Sequence, residues 1–584
     1  MQKYKKIIGL IIGIFSLILG ISFLTVYKIK RPFKPLVLNY QAYMKPELRN
    51  NFEKDFTYHE FGDLSEFQKL LQDNRVIGGV SSDFAIAKDA KKGLIKKVNY
   101  AYLFKNNQEL SNKFKSKDLK IRREAFKTIA REQTLEHLDK YNQFLYKEID
   151  GKKVYDLDGD GVEDQLWEYT IPYYIQDKVI VYTVGDYDEN GEKKPLKSNI
   201  ASWDNKTKED IRENGINFDD QSFLGIFKTL RSYGYQNFGW TEAMRDNLLL
   251  GSEKISLDKK NFDFYSGKVE SDNQSDFSYK KQINSFTTIV KEATGEALNN
   301  TKHNVFIPNG LELLATVIDN KKPTSVVYLY NGDAIDAFYS KDNFSTVEDG
   351  QAIKIVRPKN NLTLLDGWVF SKNITNEHEE KLLDKLYENI YYLEDRSIDE
   401  MLLESLEKVE YSEIQDEEGN WIKISGEGYT INFELLNSLA NFDYVNYTPS
   451  LKNSYFLIEK LYFNDAVKTA RISENDEEVY LLIDKRLDVD EKNDNSKVNI
   501  DFNVLKNIEN ITLDDIKTEA EENSTKLALN IYKSQQKYQT KNGFSVDEDT
   551  DENNIYEVNY AFLQPVNDSL ESEIQTYYNL KVKG

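Results

Sequence analysis

The sharpest chemical pattern in the chain is the stretch Asp156-Leu157-Asp158-Gly159-Asp160-Gly161-Val162-Glu163-Asp164. Carboxylates at its first, third, fifth and ninth positions converge on one point. Glycine at the sixth permits a sharp turn, and the main-chain carbonyl of Val162 adds an oxygen at the seventh. Ca²⁺ takes about six to eight hard oxygen ligands, so Asp156, Asp158, Asp160, Val162 and Asp164 form a candidate structural calcium set. Trp167 stands where an EF-hand has its bidentate Glu, and Glu168 is one residue further on. The flanks Lys153–Tyr155 and Leu166–Ile171 read as strands, which predicts a calcium loop within a β-hairpin. The alternative is an acidic hairpin turn without metal.

Other chemistry is sparse. The sequence holds no cysteine, so disulfides, thiolate zinc sites, cysteine nucleophiles and a lipidated N-terminal cysteine are all ruled out. The four histidines, His59, His137, His303 and His378, are far apart, and no H-E-x-x-H, G-x-S-x-G or P-loop occurs. Carboxylate pairs are too abundant to indicate catalysis. No enzymatic function and no functional cofactor are expected. The net charge of −22 argues against nucleic-acid binding, which needs a basic stripe. It fits either a solvated acidic surface or attraction of cationic cargo. The 38 Tyr and 31 Phe supply rings for packing or for lining a site.

At 584 residues the chain is long enough for two lobes or more. Ile7–Tyr27 is uncharged and apolar, long enough to span a bilayer core of about 30 Å. No small-residue cleavage site follows it, which predicts an uncleaved single-pass anchor after a cytoplasmic tail over residues 1–6. Lysines and arginines flank the run on both sides and leave its orientation open. Beyond it, Lys34–Tyr40 reads as a strand, Pro46–Lys54 as a helix and Asp63-x-x-Glu66 as a capped helix start. Arg75–Val80 reads as the next strand, followed by a helix from Asp83 to the stop at Gly93. This alternation predicts an α/β lobe whose ligands lie beyond the carboxyl ends of strands, where Tyr40 and Ser82 stand. Residues 241–285 read as a polar insertion or long loop, and 487–500 and 543–555 as acidic loops.

From Asn39-Tyr40-Gln41-Ala42-Tyr43 onward the sequence resembles the spermidine/putrescine-binding proteins of polyamine ABC transporters. The matching blocks continue with Gly79–Phe84 through Gly93–Lys97, Tyr169-Thr170-Ile171-Pro172-Tyr173, Ser202-Trp203-Asp204, Tyr330-Asn331-Gly332, Thr448-Pro449 and the tail Ser572–Lys583. They follow the family's order. The resemblance implies a two-lobed, type II periplasmic-binding-protein-like α/β clamp with insertions. One lobe would comprise 36–180 with 366–443, and the other 181–365 with 444–584, linked by crossover strands near 170–182 and 364–370. It implies an extracytoplasmic capture protein anchored in the cell membrane that hands its cargo to a permease and its ATPase subunit.

Polyamines are polycations with methylene stems, so their site needs carboxylates for the ammonium ends and aromatic walls for the stem. The resemblance places Tyr40, Tyr43, Ser82, Phe84, Asp220, Tyr330, Asp366, Asn446 and Gln564 at such a site. From the residues alone, the tyrosines also read as packing, Asp219–Asp220 as a helix N-cap and Asp366 as a turn residue. An acidic residue that the family carries one turn after Asp220 is not evident, and Leu364 stands at a family Trp. The same fold could therefore carry another organic cation or iron, with Tyr173–Tyr174 or Tyr577–Tyr578 as a ferric pair. A membrane-anchored surface enzyme is the further alternative.

Overall fold

The computed structural model describes residues 33–184, 186–187, 193–194, 205–259, 265–319, 322–339, 352–397, 406–415, 420–432, 435–462, 468–472, 478–486, 523–547 and 550–583, with single positions between them. The apolar run 7–27, the Ser202-Trp203-Asp204 block and the acidic segment 487–500 lie outside the described residues. Among the described residues no helix is long and apolar enough to cross a membrane.

The chain starts as strand–helix repeats: β1 (Leu36–Tyr40), α1 (Pro46–Phe52), β2 (Thr57–Phe61), α2 (Leu64–Gln72), β3 (Gly78–Ser82) and α3 (Asp83–Lys91). Pro46 opens α1 at a position where its missing N–H costs nothing. The Asp63 carboxylate caps α2 by accepting the Ser65 N–H. Gly93, at φ 64°, ends the turn after α3. The third strand starts at Gly78, later than the sequence pattern predicts. The long strand β4 (Ile171–Thr183) is buried along its whole length.

The second half holds α4 (Phe223–Ser232), β5 (Phe238–Thr241), α5 (Met244–Lys259), α6 (Tyr279–Thr294), β6 (Asn304–Ile307), α7 (Gly310–Ile318), β7 (Val326–Tyr330), α8 (Asn331–Phe338) and β8 (Ile353–Val356). The long strand β9 (Asn360–Ser371) then returns to the first half. Residues 241–285 are thus not a long loop. They contain α5 and the start of α6, and α5 is buried nearly all round, polar side chains included.

One mixed sheet joins the two halves. Strand order is β2-β1-β3-β9-β4 on one side and β6-β5-β7-β4-β8 on the other. Strand β4 pairs with β9 over Ile171–Asp177 and with β7 from Lys178 on, so its neighbours change at Asp177/Lys178. The cores change over at the same point. The first, built on Val37, Leu38, Val80 and Trp368, runs along the two long strands as far as Ile175 and Leu365. Beyond it, alternate residues of β4 feed opposite faces of the sheet: Val179 and Val181 one cluster, Ile180 and Tyr182 another. Leu436, Leu439 and Phe442 pack with the first of these two clusters, while Val445 and Leu451 return to the core of the first half. Strands Leu406–Gln415, Trp421–Ile431, Lys468–Ile472 and Glu478–Arg486 close a separate small antiparallel barrel around Tyr411 and Ala470.

A buried ion pair fixes the changeover. Arg357 Nε lies 3.0 Å from an Asp177 oxygen, with both side chains fully buried. Arg357 also donates to the carbonyls of Asn530 and Ile531 at 2.6 and 3.1 Å, and Asp177 accepts the Gln535 N–H at 2.9 Å. The C-terminal segment is thereby tied to the crossover strand.

Candidate functional site

Asp366 lies on β9 opposite Ser82 at the end of β3 and Tyr174 of β4. The pairing with β4 shifts register between Asp366 and Gly367, beside this side chain. The carboxylate is buried and accepts three hydrogen bonds. Ser82 Oγ donates to Oδ1 at 2.7 Å, while Tyr43 Oη and Gln176 Nε2 donate to Oδ2 at 2.8 and 3.1 Å. Tyr40 Oη lies 2.9 Å from Ser82 Oγ. The Tyr43 ring meets Tyr40, Tyr173, Tyr174 and Tyr447 edge-on, with centroids 5.2–5.7 Å apart. Burial pushes the Asp366 carboxyl from its ordinary 3.8 up to about 7. The bonds from Ser82 and Tyr43 oppose the rise, and the charges of Asp83 and Asp246 add to it.

A second buried carboxylate, Asp246, adds its charge to the surroundings of Asp366. Tyr330 ends β7, and its hydroxyl donates to Asp246 Oδ2 at 2.6 Å. Lys178 Nζ lies 2.8 Å from the same oxygen and 3.5 Å from the centre of the Tyr330 ring. A third is Asp333 near the start of α8, which accepts the Tyr447 hydroxyl and is raised by burial to about 6. The Tyr447 ring lies so close to Gly332 that a Cβ there would fall 1.6 Å from Cδ1, which explains the glycine of the Tyr330-Asn331-Gly332 block. Leu249, Leu362, Leu364, Ala561 and Leu563 form a small apolar cluster packed with Phe84, Tyr265 and Tyr330, the last of which bonds Asp246. Acidic groups, ring faces and an apolar wall together suit an organic cation.

Of the residues singled out from sequence, Tyr40, Tyr43, Ser82 and Asp366 share one hydrogen-bonded cluster, and Tyr330 faces it through Asp246. Phe84 lies under the Arg245 guanidinium, 5.6 Å from its carbon. Gln564 belongs to the same margin: its carbonyl accepts Arg245 Nη2 at 2.8 Å, while its side chain donates to the Ser266 carbonyl at 3.2 Å. Asp220 is exposed and accepts the Ser222 N–H at 2.9 Å at the start of α4, where it acts in the local turn. Asn446, at φ 62°, is the C-cap of the helix Asn437–Val445; its neighbour Tyr447 is the residue that reaches the cleft. Sequence reasoning missed Gln176, Lys178, Asp246, Asp333 and Tyr447. A Gln-Asp-Lys run inside the otherwise apolar strand Ile171–Thr183 was the available signal. The Tyr173 and Tyr174 hydroxyls both accept from the Asn441 amide, at 2.8 and 2.7 Å.

In the acidic loop, Asp156 Oδ1 accepts the N–H groups of Gly159 and Asp160, and Oδ2 that of Gly161. Gly159 and Gly161 are both at φ 83°. Carboxylate oxygens of Asp156, Asp158 and Asp164 lie within 4.8 Å of one another. Lys97 Nζ contacts Asp158, Asp160 and Asp164 at 2.8, 3.2 and 2.8 Å. Although burial acts the other way, bonds to Asp158 and Asp164 hold this ammonium protonated well above the usual lysine range. The Val162 N–H is held by Asp160 Oδ1 at 2.8 Å. The flanks differ from the predicted hairpin. Lys152–Val154 pairs with Lys147–Ile149 before the loop, and Leu166–Tyr169 is a 3₁₀ turn closed by a Gln165–Glu168 capping box.

The family described as hypothetical lipoprotein (MG045 family) matches residues 1–579. The chain belongs to this family. No curated protein matches the sequence. Among solved structures, this MG045-family chain is similar to a Listeria monocytogenes protein described as a spermidine/putrescine ABC transporter, at 14% identity and TM-score 0.36, covering 72% of this chain and 84% of that one. It is also similar to the spermidine/putrescine substrate-binding protein PotD of Streptococcus pneumoniae, at 12% identity and TM-score 0.33, covering 71% and 83%. A third is the Tp0655 (TpPotD) lipoprotein of Treponema pallidum, at 12% identity and TM-score 0.35, covering 62% and 83%.

Proposed function

We propose that this MG045-family chain is the extracytoplasmic solute-binding component of an ABC importer, and that it captures an amine of the polyamine class for a permease and its ATPase. The observation that carries the reading is Asp366, a buried carboxylate ringed by Tyr40, Tyr43 and Ser82 where two halves of one sheet meet. Two crossover strands make a hinge, and closure over cargo would present one defined shape to the permease. The family is described as lipoprotein, yet this sequence has no cysteine to carry a lipid; Ile7–Tyr27 is proposed as the membrane attachment instead.

The test is thermal melting of the full chain in detergent with putrescine or spermidine, since a ligand that binds only the folded state stabilises it by mass action. The pH dependence follows from Asp366. An ammonium ligand needs the carboxylate ionised, and the folded value near 7 leaves about a tenth ionised at pH 6 and nine-tenths at pH 8. Amine affinity is therefore expected to rise about tenfold from pH 6 to pH 8. The apo protein runs the other way. Because the folded value lies above the ordinary 3.8, this group's contribution to stability is full below that value and is lost as pH climbs through about 7. An affinity that is flat over this range, or an amine that leaves melting unchanged, contradicts the assignment.

For the acidic loop we propose a structural Ca²⁺ that displaces the Lys97 ammonium and takes oxygens of Asp156, Asp158, Asp160 and Asp164 with the Val162 carbonyl. Asp156, Asp158 and Asp164 converge, and Lys97 already sets a cation against Asp158, Asp160 and Asp164, which supports it. Calcium is expected to raise the melting temperature, and to raise it more in Lys97→Met, where no built-in cation competes. Identical melting with calcium and with chelator in both proteins would identify the loop as a lysine-clasped turn without metal.

A further inference from the structure

Two buried carboxylates that influence each other, Asp366 and Asp246, are both contacted from one strand. Gln176 Nε2 reaches Asp366 at 3.1 Å and also donates to Tyr43 Oη at 2.8 Å. Lys178 Nζ reaches Asp246 at 2.8 Å. Residues two apart on a strand share a face, so Gln176 and Lys178 lie on one face, against Asp366 and Asp246, while Asp177 points to the other, against Arg357. Lys178 is the first residue of β4 to pair with the second half, opposite Tyr330.

The surroundings of the Lys178 ammonium are those an amine cargo would need. The Tyr330 ring face lies 3.5 Å away, a carboxylate oxygen 2.8 Å away, and the side chain is fully buried. The Tyr330 hydroxyl donates to that same oxygen at 2.6 Å, which fixes ring and carboxylate relative to each other. The Tyr328 ring adds a second face at 5.2 Å. Cation–π contact and close pairing with a carboxylate are two interactions that recognise a primary ammonium in a dry site. Burial pulls the Lys178 pKa below the usual lysine value, and the Asp246 charge opposes that fall.

We propose that Lys178 is a built-in ammonium that occupies one of the two amine seats of the cleft, so that cargo engages the protein through a single ammonium group, at Asp366. The inference rests on the amine reading given above and sharpens its substrate class. Lys178 sets specificity by occupancy: a second ammonium on the cargo finds Asp246 and the Tyr330 face taken, and contributes little. An amine with one charged end and an apolar stem along Leu249, Leu362 and Leu364 satisfies the site as well as a diamine does.

Titration calorimetry of the full chain in detergent at pH 8 tests this, with 1-butylamine and 1,4-diaminobutane as probes of equal carbon length. The wild-type protein is expected to bind the two within about threefold of each other, less than the roughly tenfold expected of one added charge-assisted contact. In Lys178→Met the seat at Asp246 is open, and the diamine is expected to gain about tenfold or more over the monoamine. A wild-type preference of about tenfold or more for the diamine overturns the proposal. So does a Lys178→Met protein that folds and keeps the wild-type ratio. If that variant does not fold, the wild-type ratio alone decides. The two levels separate cleanly. A diamine preference in the wild type removes the Lys178 assignment and leaves the amine reading standing; failure of both amines to bind removes the amine reading, and the Lys178 assignment with it.

Discussion

Asp366→Asn is expected to abolish the amine-induced rise in melting temperature while leaving the apo protein folded. The two halves of that result have separate causes. In the apo protein an asparagine can keep the local bonds. Its carbonyl replaces the oxygen that accepts from Tyr43 and Gln176, and its amide donates to Ser82 Oγ, which in turn bonds Tyr40. The amine complex has no such rescue, because the cargo's charge loses the carboxylate that neutralises it. Truncating one partner of a buried, hydrogen-bonded charge pair costs about 2–5 kcal/mol. That is roughly a 30-fold to few-thousand-fold loss of affinity. An Asp366→Asn protein that binds amine within about threefold of wild type would place the seat elsewhere.

The largest effect on stability is expected at Arg357. Its guanidinium and the Asp177 carboxylate are both fully buried, and they join the crossover strand to the C-terminal helix Asn523–Tyr532. Among the described residues, Arg357→Met leaves Asp177 in the core with the Gln535 N–H and the Tyr560 hydroxyl as its side-chain partners. Burial alone already raises the Asp177 pKa, and Arg357 is the chief influence holding it down. Breaking such a pair by removing one member costs about 3–5 kcal/mol, because an uncompensated charge stays buried. Urea denaturation should show a midpoint shift of that size at neutral pH. Asp177→Asn combined with Arg357→Met is expected to recover part of the loss, since the orphaned charge is gone. A shift below about 1 kcal/mol in the single variant would mean that water or a rearranged neighbour compensates Asp177.

The first half of the fold was legible because its signals are local. Proline at a helix start, an aspartate cap, and glycine at a left-handed stop each act within a few residues, and β1–α3 follow them. The crossover strands were legible through ordered resemblance at Tyr169–Tyr173 and around Asp366. Helix α5 was not legible, and its burial explains why. An amphipathic helix announces itself by an apolar stripe, whereas α5 buries Arg245, Asp246, Asn247, Ser252 and Glu253 alongside Leu248–Leu250, so no stripe forms. With α5 read as loop, Asp246 could not be placed. The family resemblance points to a carboxylate one turn after Asp220, whereas the acidic groups whose charges reach Asp366 are Asp83 at the start of α3 and Asp246 on α5. Asp220 is not the N-cap either: Ser222 caps α4 by accepting the Gly225 N–H, and Asp220 bonds the Ser222 N–H just before it. The offset between Asn446 and Tyr447 is one residue, and it decides which side chain caps a helix and which meets Tyr43 and Asp333.

The acidic loop shows the same division. Its turn is local, and Gly161 at φ 83° is the sharp turn that the spacing predicts; the main-chain N–H bonds to Asp156 accompany it. Lys97 comes from far away in sequence, so its arrival among the three carboxylates was not readable from the loop.

The central claim is that a small organic amine sits between the two halves, against Asp366. Native mass spectrometry of the full chain, released from detergent without added ligand, tests it most directly. The account predicts that a low-mass amine remains with the wild-type protein and is absent from Asp366→Asn. A retained sugar or anionic solute, or an amine held equally by both proteins, would contradict it.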